Sequence, residues 1–315
     1  MSEYLSVFPE LIQAREAGED DSPGGWCGKS VHSIVTTAKD RCRGCYSCVL
    51  RCPTKAIRVH DGQAQVIASR CIACGRCVRA CSQGAKTVFD NLPAIRALLS
   101  ETNVVVMVAP SFPAAFPDWK AGQLVAALKM LGFCGVHEVA FGAEMVAAVY
   151  AKRYEQDPTR YTLTTPCPAA VKYVEKYAVE LIPFLAPLLS PMAALGKALK
   201  LKIRPGTKTV FLGPCTAKIL EVEDPAVDPW VDCAMTFVEL SRLFKERGIA
   251  PGLLNEQDFD PPYALHGGIF PVPGGLMKVA NLAADPMATY AVELNRPEPF
   301  MEIIERLQAR VSAGA

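Results

Sequence analysis

From Asn103 to the C-terminus, apolar runs of strand length alternate with stretches whose apolar residues recur at helical spacing. NVVVMVAP (103–110) reads as a buried strand and DWKAGQLVAALKMLG (118–132) as a helix stopped by Gly132. VHEVAFG (136–142) reads as a strand, AEMVAAVYAKRYEQD (143–157) as a helix, and YTLTTPCP (161–168) as a further strand. Helical spacing returns in AAVKYVEKYAVELIPFL (169–185) and SPMAALGKALKLK (190–202). KTVFLGPC (208–215) opens a second series. It continues with the strand VDCAMT, the helix FVELSRLFKERG, the glycine-rich GGIFPVPGGLMKVA, the strand TYAVEL and the helix PFMEIIERLQARV. The alternation predicts two α/β lobes, over 91–205 and 206–315, each a parallel-sheet βα unit and both facing a shared cleft.

Before residue 90 the pattern changes. Eight of the thirteen cysteines fall between residues 42 and 81, in CRGCYSCVLRCP and CIACGRCVRACS. Each run is C-x2-C-x2-C-x3-C, the spacing of a bacterial two-cluster ferredoxin. Three thiolates of a run wrap one 4Fe-4S cube and the fourth reaches across to the other. One cube then takes Cys42, Cys45, Cys48 and Cys81, and the other Cys71, Cys74, Cys77 and Cys52. Pro53 follows the first run, whereas Ser82 stands in its place after the second. Zinc is the alternative, but it favours ligand pairs separated by a longer loop. Residues 31–90 are therefore expected to be a small α+β ferredoxin-like domain and an electron relay. Residues 1–30, with EDDSPGG, read as a mobile leader.

Composition narrows the rest. A formal net charge of +1 gives no electrostatic case for nucleic acid or an anionic membrane, and no apolar run approaches the length of a membrane span. The acidic N-terminus lacks the basic start and apolar core of a secretory signal, so a cytoplasmic protein is expected.

Cys167 and Cys215 each follow a proline just past the carboxyl end of an expected strand, where open α/β sheets bind their ligands. Either could instead be a buried structural thiol. In this order, TTPCP, GPCTAK and GGIFPVPGGL, together with FGAEMVAA and LIPFLAPLLSPMAALGK, resemble the catalytic subunit of the iron-only, or FeFe, hydrogenases, and particularly their sensory group. The resemblance runs from about residue 31 to the C-terminus. It implies a third 4Fe-4S cluster joined to a two-iron unit (the H-cluster) in the cleft, with Cys167 and Cys215 as two of its ligands and Lys218 as the donor to a cyanide. An ammonium suits that task, since it makes charge-assisted hydrogen bonds.

Two departures qualify what the resemblance implies. Pro166 stands where the family has a proton-relaying cysteine, and proline has no proton to give. A third cysteine motif is expected about where the sequence stops, after ERLQARVSAGA. The remaining thiols, Cys27, Cys134 and Cys233, lack its spacing. His266, in the glycine-rich loop, and Glu144 are secondary candidates; Glu144 would pass protons or stabilise a helix N-terminus. The expected function is iron-sulfur electron transfer of the FeFe-hydrogenase type, sensory or slow, with an incomplete active site in this chain. The alternatives are a two-cluster electron-transfer module and an iron-sulfur scaffold. The expected partners are a redox protein such as a ferredoxin, a signalling domain and a second subunit supplying the third motif.

Overall fold

The computed structural model describes residues 12–13, 33–158, 161–282 and 297–313. Of the leader, Ile12 is buried in the main core and its carbonyl accepts the N–H of Leu189 at 2.8 Å, so the leader, expected to be mobile, is docked at that point. Cys27, His32 and the expected strand TYAVEL lie outside the described residues.

The N-terminal region is built on two short antiparallel pairs. Strand β1 (Val35–Thr37) pairs with β4 (Lys86–Val88), and β2 (Ile57–His60) with β3 (Gln63–Val66). Each cysteine run forms a loop that leads into one helical turn, α1 (Ser47–Leu50) or α2 (Arg76–Arg79). The two loops have the same backbone. Gly44 and Tyr46 in the first and Ala73 and Gly75 in the second have φ of 64, 60, 53 and 71°. Left-handed residues alternate with Cys45 and Cys74 and curl each loop.

The larger region begins with α3 (Leu92–Leu98) and β5 (Val104–Val108), followed by α4 (Phe112–Ala115), α5 (Ala121–Met130), β6 (Gly135–Glu138) and α6 (Val139–Gln156). Next come α7 (Pro168–Tyr177), α8 (Pro191–Ala198), β7 (Lys208–Gly213), α9 (Thr216–Glu221), β8 (Cys233–Thr236) and α10 (Phe237–Arg247). The described helices end with α11 (Gly275–Val279) and α12 (Pro297–Ser312).

The α/β class and the preceding ferredoxin-like region are as the sequence predicts. The strands of the two βα units join in one parallel sheet of order β6-β5-β7-β8. The reason is visible in β5: all five of its residues are buried, and a strand covered on both faces fills its two edges with β6 and β7. Three local expectations change. YTLTTPCP forms no strand, only an isolated bridge from Leu163 to Leu185, because the Thr165 N–H is taken by the Tyr150 hydroxyl. VHEVAFG is strand only to Glu138; its last four residues begin α6. The helix from residue 169 stops at Tyr177, and a 3-10 segment containing Pro183 replaces its second half.

Charged and polar contacts tie the parts together. Glu239 is buried, closes a capping box with Thr236 at the start of α10, and accepts the Asn91 N–H at 2.6 Å. Asn91 in turn donates to the Ala234 carbonyl, so the link from the cysteine-rich region is pinned to β8.

At the other end of β8, Asp232 accepts from Lys200 at 2.6 Å, from Lys208 at 3.0 Å and from the Thr209 N–H at 2.8 Å. Burial would raise its pKa, but these donors prevail and hold its carboxyl below the ordinary range. Its stabilising contribution is therefore present above the unfolded pKa and lost as pH falls through the lowered folded value. The expected result for Asp232→Ala is a loss of roughly 2–3 kcal/mol in urea unfolding at pH 7. The deficit should shrink below the ordinary carboxylate range.

Candidate functional site

The structure gathers the eight cysteines of the N-terminal region into two groups. Cys42, Cys45, Cys48 and Cys81 line one cavity, together with Thr37, Ala64, Ala85 and Lys86. Cys52, Cys71, Cys74 and Cys77 are close enough to influence one another electrostatically. Amides point at the sulfurs. Ala56 N–H donates to Cys52 Sγ at 3.2 Å and Ala85 N–H to Cys81 Sγ at 3.3 Å, so the fourth cysteine of each run is served by the amide four residues on. Ala73 N–H donates to Cys71 Sγ at 3.3 Å.

The two groups differ in environment. The Ala64 and Gly44 amides lower the pKa of Cys42, and the Ser47 hydroxyl and amide lower that of the exposed Cys45. In the second group, burial pushes Cys71 and Cys74 up and Cys77 up to about 12. Within the first group burial also raises Cys48, so that group runs from the exposed Cys45 to the buried Cys48. Among the described residues no three His, Cys, Asp or Glu are gathered for a single metal ion. Thiolates at the corners of a cubane stand further apart than the ligands of one ion. Four soft donors with amides aimed at them fit an iron-sulfur cluster.

Cys167 and Cys215 occupy equivalent positions. Cys167 is the N-cap of α7 and Cys215 the N-cap of α9, beyond the carboxyl end of β7. The structure brings them together. Burial raises the Cys215 pKa, Lys218 opposes the rise, and the charge of the exposed Cys167 adds to it. Lys218 is buried; its Nζ donates to the Pro166 carbonyl at 3.3 Å and to Glu221 Oε2 at 2.5 Å. One lysine therefore spans the loops that carry both cysteines.

These loops also touch the second cysteine group. Thr216 Oγ1, beside Cys215, donates to the Ala73 carbonyl at 2.6 Å. A Cβ on Gly75 would stand 2.9 Å from that hydroxyl, so glycine permits the approach. At the far end of α7, Lys176 donates to the Cys71 carbonyl at 2.8 Å and the Tyr177 hydroxyl to the Arg70 carbonyl at 2.7 Å.

Tyr150 and Glu144 have roles that the sequence did not reveal. The Tyr150 hydroxyl accepts the Thr165 N–H at 2.8 Å and lies 3.1 Å from Thr165 Oγ1, which fixes the loop two residues before Cys167. In the sequence Tyr150 is one more large residue on an apolar helix face. Glu144 is in the second turn of α6 rather than at its N-terminus. Its Oε1 accepts the N–H groups of Leu265, His266 and Gly267 at 2.6, 2.5 and 2.7 Å. His266 contributes its backbone there, and its side chain is exposed. Cys233 is buried in β8, and exposed Cys134 donates to Asn103 Oδ1 at 3.6 Å.

Two four-thiol groups beside a parallel α/β sheet, with two further thiols at the starts of α7 and α9, define an iron-sulfur protein. Residues 34–82 match the 4Fe-4S dicluster domain, and residues 102–306 match the iron only hydrogenase large subunit, C-terminal domain. The chain belongs to that hydrogenase family.

Among curated relatives, the NADP-reducing hydrogenase subunit HndD of Solidesulfovibrio fructosivorans is 26% identical, over 90% of this chain and 57% of its own length. Iron hydrogenase 1 of Clostridium pasteurianum is 27% identical over 71% of this chain and 51% of its own. The cytosolic Fe-S cluster assembly factor NAR1 of Yarrowia lipolytica is 26% identical over 79% and 57%. The chain spans about half the length of the curated relatives it matches. An FeFe-hydrogenase structure, HydA(deltaEFG), aligns with a TM-score of 0.55 and 26% identity over 66% of this chain and 61% of that one. No described helix is long and apolar enough to cross a membrane.

The Glu144 contacts yield a direct expectation. In Glu144→Ala, hydrogen exchange at Leu265, His266 and Gly267 should accelerate roughly ten- to hundredfold, because three charge-assisted bonds are lost. Amides of β5 and β7 should be unchanged.

Proposed function

We propose that this chain is the electron-relay part of an FeFe-hydrogenase-like protein, carrying two 4Fe-4S clusters. Cys42, Cys45, Cys48 and Cys81 would hold one, and Cys71, Cys74, Cys77 and Cys52 the other. Each cubane, when bound, supplies one-electron storage. The observation that carries the reading is the hydrogen bond from Thr216 to the Ala73 carbonyl. It sets the loop of the second thiol group directly against the residue that follows Cys215. The contact supports electron transfer between the second cluster site and the cleft.

The cleft itself holds half of a cubane's ligand set. Cys167 and Cys215 are the two thiols it presents among the described residues, and Lys218, bonded to Glu221, adds a buried ammonium between their loops. Pro166 offers no acid, so we assign no H2 chemistry to these residues alone. A second reading is an iron-sulfur scaffold, favoured by the exposure of Cys167 and by the similarity to an assembly factor. Both readings suit a reducing cytoplasm, and no disulfide joins the described cysteines.

Iron per chain and the infrared spectrum after anaerobic reconstitution separate the two. The relay reading expects about 8 irons, the content of two cubanes, and no metal-carbonyl bands. About 12 irons, falling to about 8 in Cys215→Ser, would favour the scaffold. Fewer than two cubanes in the wild type would sink the relay.

The electron carrier should be acidic. Around Cys45, exposed Tyr46 and Leu50 are accompanied by exposed Arg41, Arg43, Arg51 and Lys55. An apolar centre with a basic rim suits a small, negatively charged redox protein of the ferredoxin kind. Reversing charge in Arg43→Glu with Arg51→Glu should slow reduction by such a carrier by roughly tenfold at low salt. In stopped-flow absorbance the difference should vanish at high salt.

A further inference from the structure

Lys86 is buried to 4% exposure without a carboxylate in reach among the described residues. Its Nζ donates to Thr37 Oγ1 at 2.5 Å and, more weakly, to the Ala64 carbonyl at 3.4 Å. Both partners are neutral. The other buried lysine, Lys218, has Glu221. An ammonium taken out of water costs several kcal/mol unless a negative charge compensates it. The side chain on β4 must therefore have its counterion in its surroundings.

Those surroundings are cysteine. Lys86 lines the cavity of Cys42, Cys45, Cys48 and Cys81. Its charge favours the thiolates of Cys42 and Cys48 in the first group and those of Cys71 and Cys77 in the second. Thr37 on β1 fixes the ammonium from the opposite strand, so the charge cannot swing out to solvent.

We propose that Lys86 is a fixed countercharge of the first cluster site, which eases addition of an electron there and raises its reduction potential. The inference rests on the reading that both thiol groups hold 4Fe-4S clusters. A cubane in four thiolates is anionic in both states and gains one further negative charge when it takes an electron. No bond forms and no proton moves; a low-potential one-electron donor is oxidised as the cluster is reduced. A cation at fixed distance favours the more negative state.

The test is an EPR-monitored redox titration of the reconstituted chain, with iron content measured for each variant. In Lys86→Met the ratio of reduced to oxidised cluster at a given potential should fall about tenfold at the first site, a shift of about 59 mV to more negative potential for one electron. Lys86→Arg should stay near the wild type. Unchanged potentials in Lys86→Met at full iron content, or a shift confined to the other cluster, would overturn the proposal. If Lys86→Met takes up no iron, Lys86→Gln and Lys86→Arg decide the matter. Iron retained by arginine and lost by glutamine supports a required charge, whereas loss in both, or retention by glutamine with unshifted potentials, refutes it. A wild type without two cluster signals would refute the cluster reading itself, which is a distinct outcome.

Discussion

The 2.6 Å hydrogen bond from Thr216 to the Ala73 carbonyl is where the cysteine-rich region meets the loop that carries Cys215. Ala73 lies between Cys71 and Cys74, and Thr216 follows Cys215, so a shift at this contact would move the second cysteine group away from the cleft. Gly75 lets the hydroxyl approach, and Lys176 and Tyr177 hold the same loop from α7. Both helices that begin at the cleft cysteines thus bear on one cysteine loop. The Asn91–Glu239 contact secures the connection from the β8 side.

Around this joint, most buried charge is compensated locally, although Glu223 Oε2 is buried without a hydrogen-bond partner and burial pushes that carboxyl up to about 8. Lys218 is matched by Glu221, Asp232 by two lysines and an amide, and the Glu144 carboxylate by three successive N–H groups. Lys86 departs from this rule among neutral oxygens, and it does so beside the densest collection of ionisable sulfur in the chain. The same low dielectric that makes an isolated charge costly makes a compensated one effective over a distance. Burial also differs among the cysteines, since Cys45 meets water while Cys48 is buried and Cys77 is pushed to about 12.

Much of this was legible before any fold was known. The two C-x2-C-x2-C-x3-C runs named their partners because the ligand geometry of a cubane constrains spacing in the chain itself. Strand and helix texture revealed an α/β region because burial on two faces leaves a nearly continuous apolar run. The strand expected before Cys167 was not legible. YTLTT has β-forming residues, but its amides are used by Tyr150 and by the 3-10 segment near Phe184, which are remote in sequence.

The sequence by itself determined the thiol groups, the α/β class and the position of Cys215 past a strand end, since each follows from local spacing or periodicity. Only the tertiary structure decided that the two βα units share one sheet, that Glu144 holds the glycine-rich loop, and that Lys86 is buried beside the cysteines. The physical reason is the same in each case. A lysine or glutamate carries no mark in the sequence of whether water or protein surrounds it, and the partners that settle the matter come from distant parts of the chain.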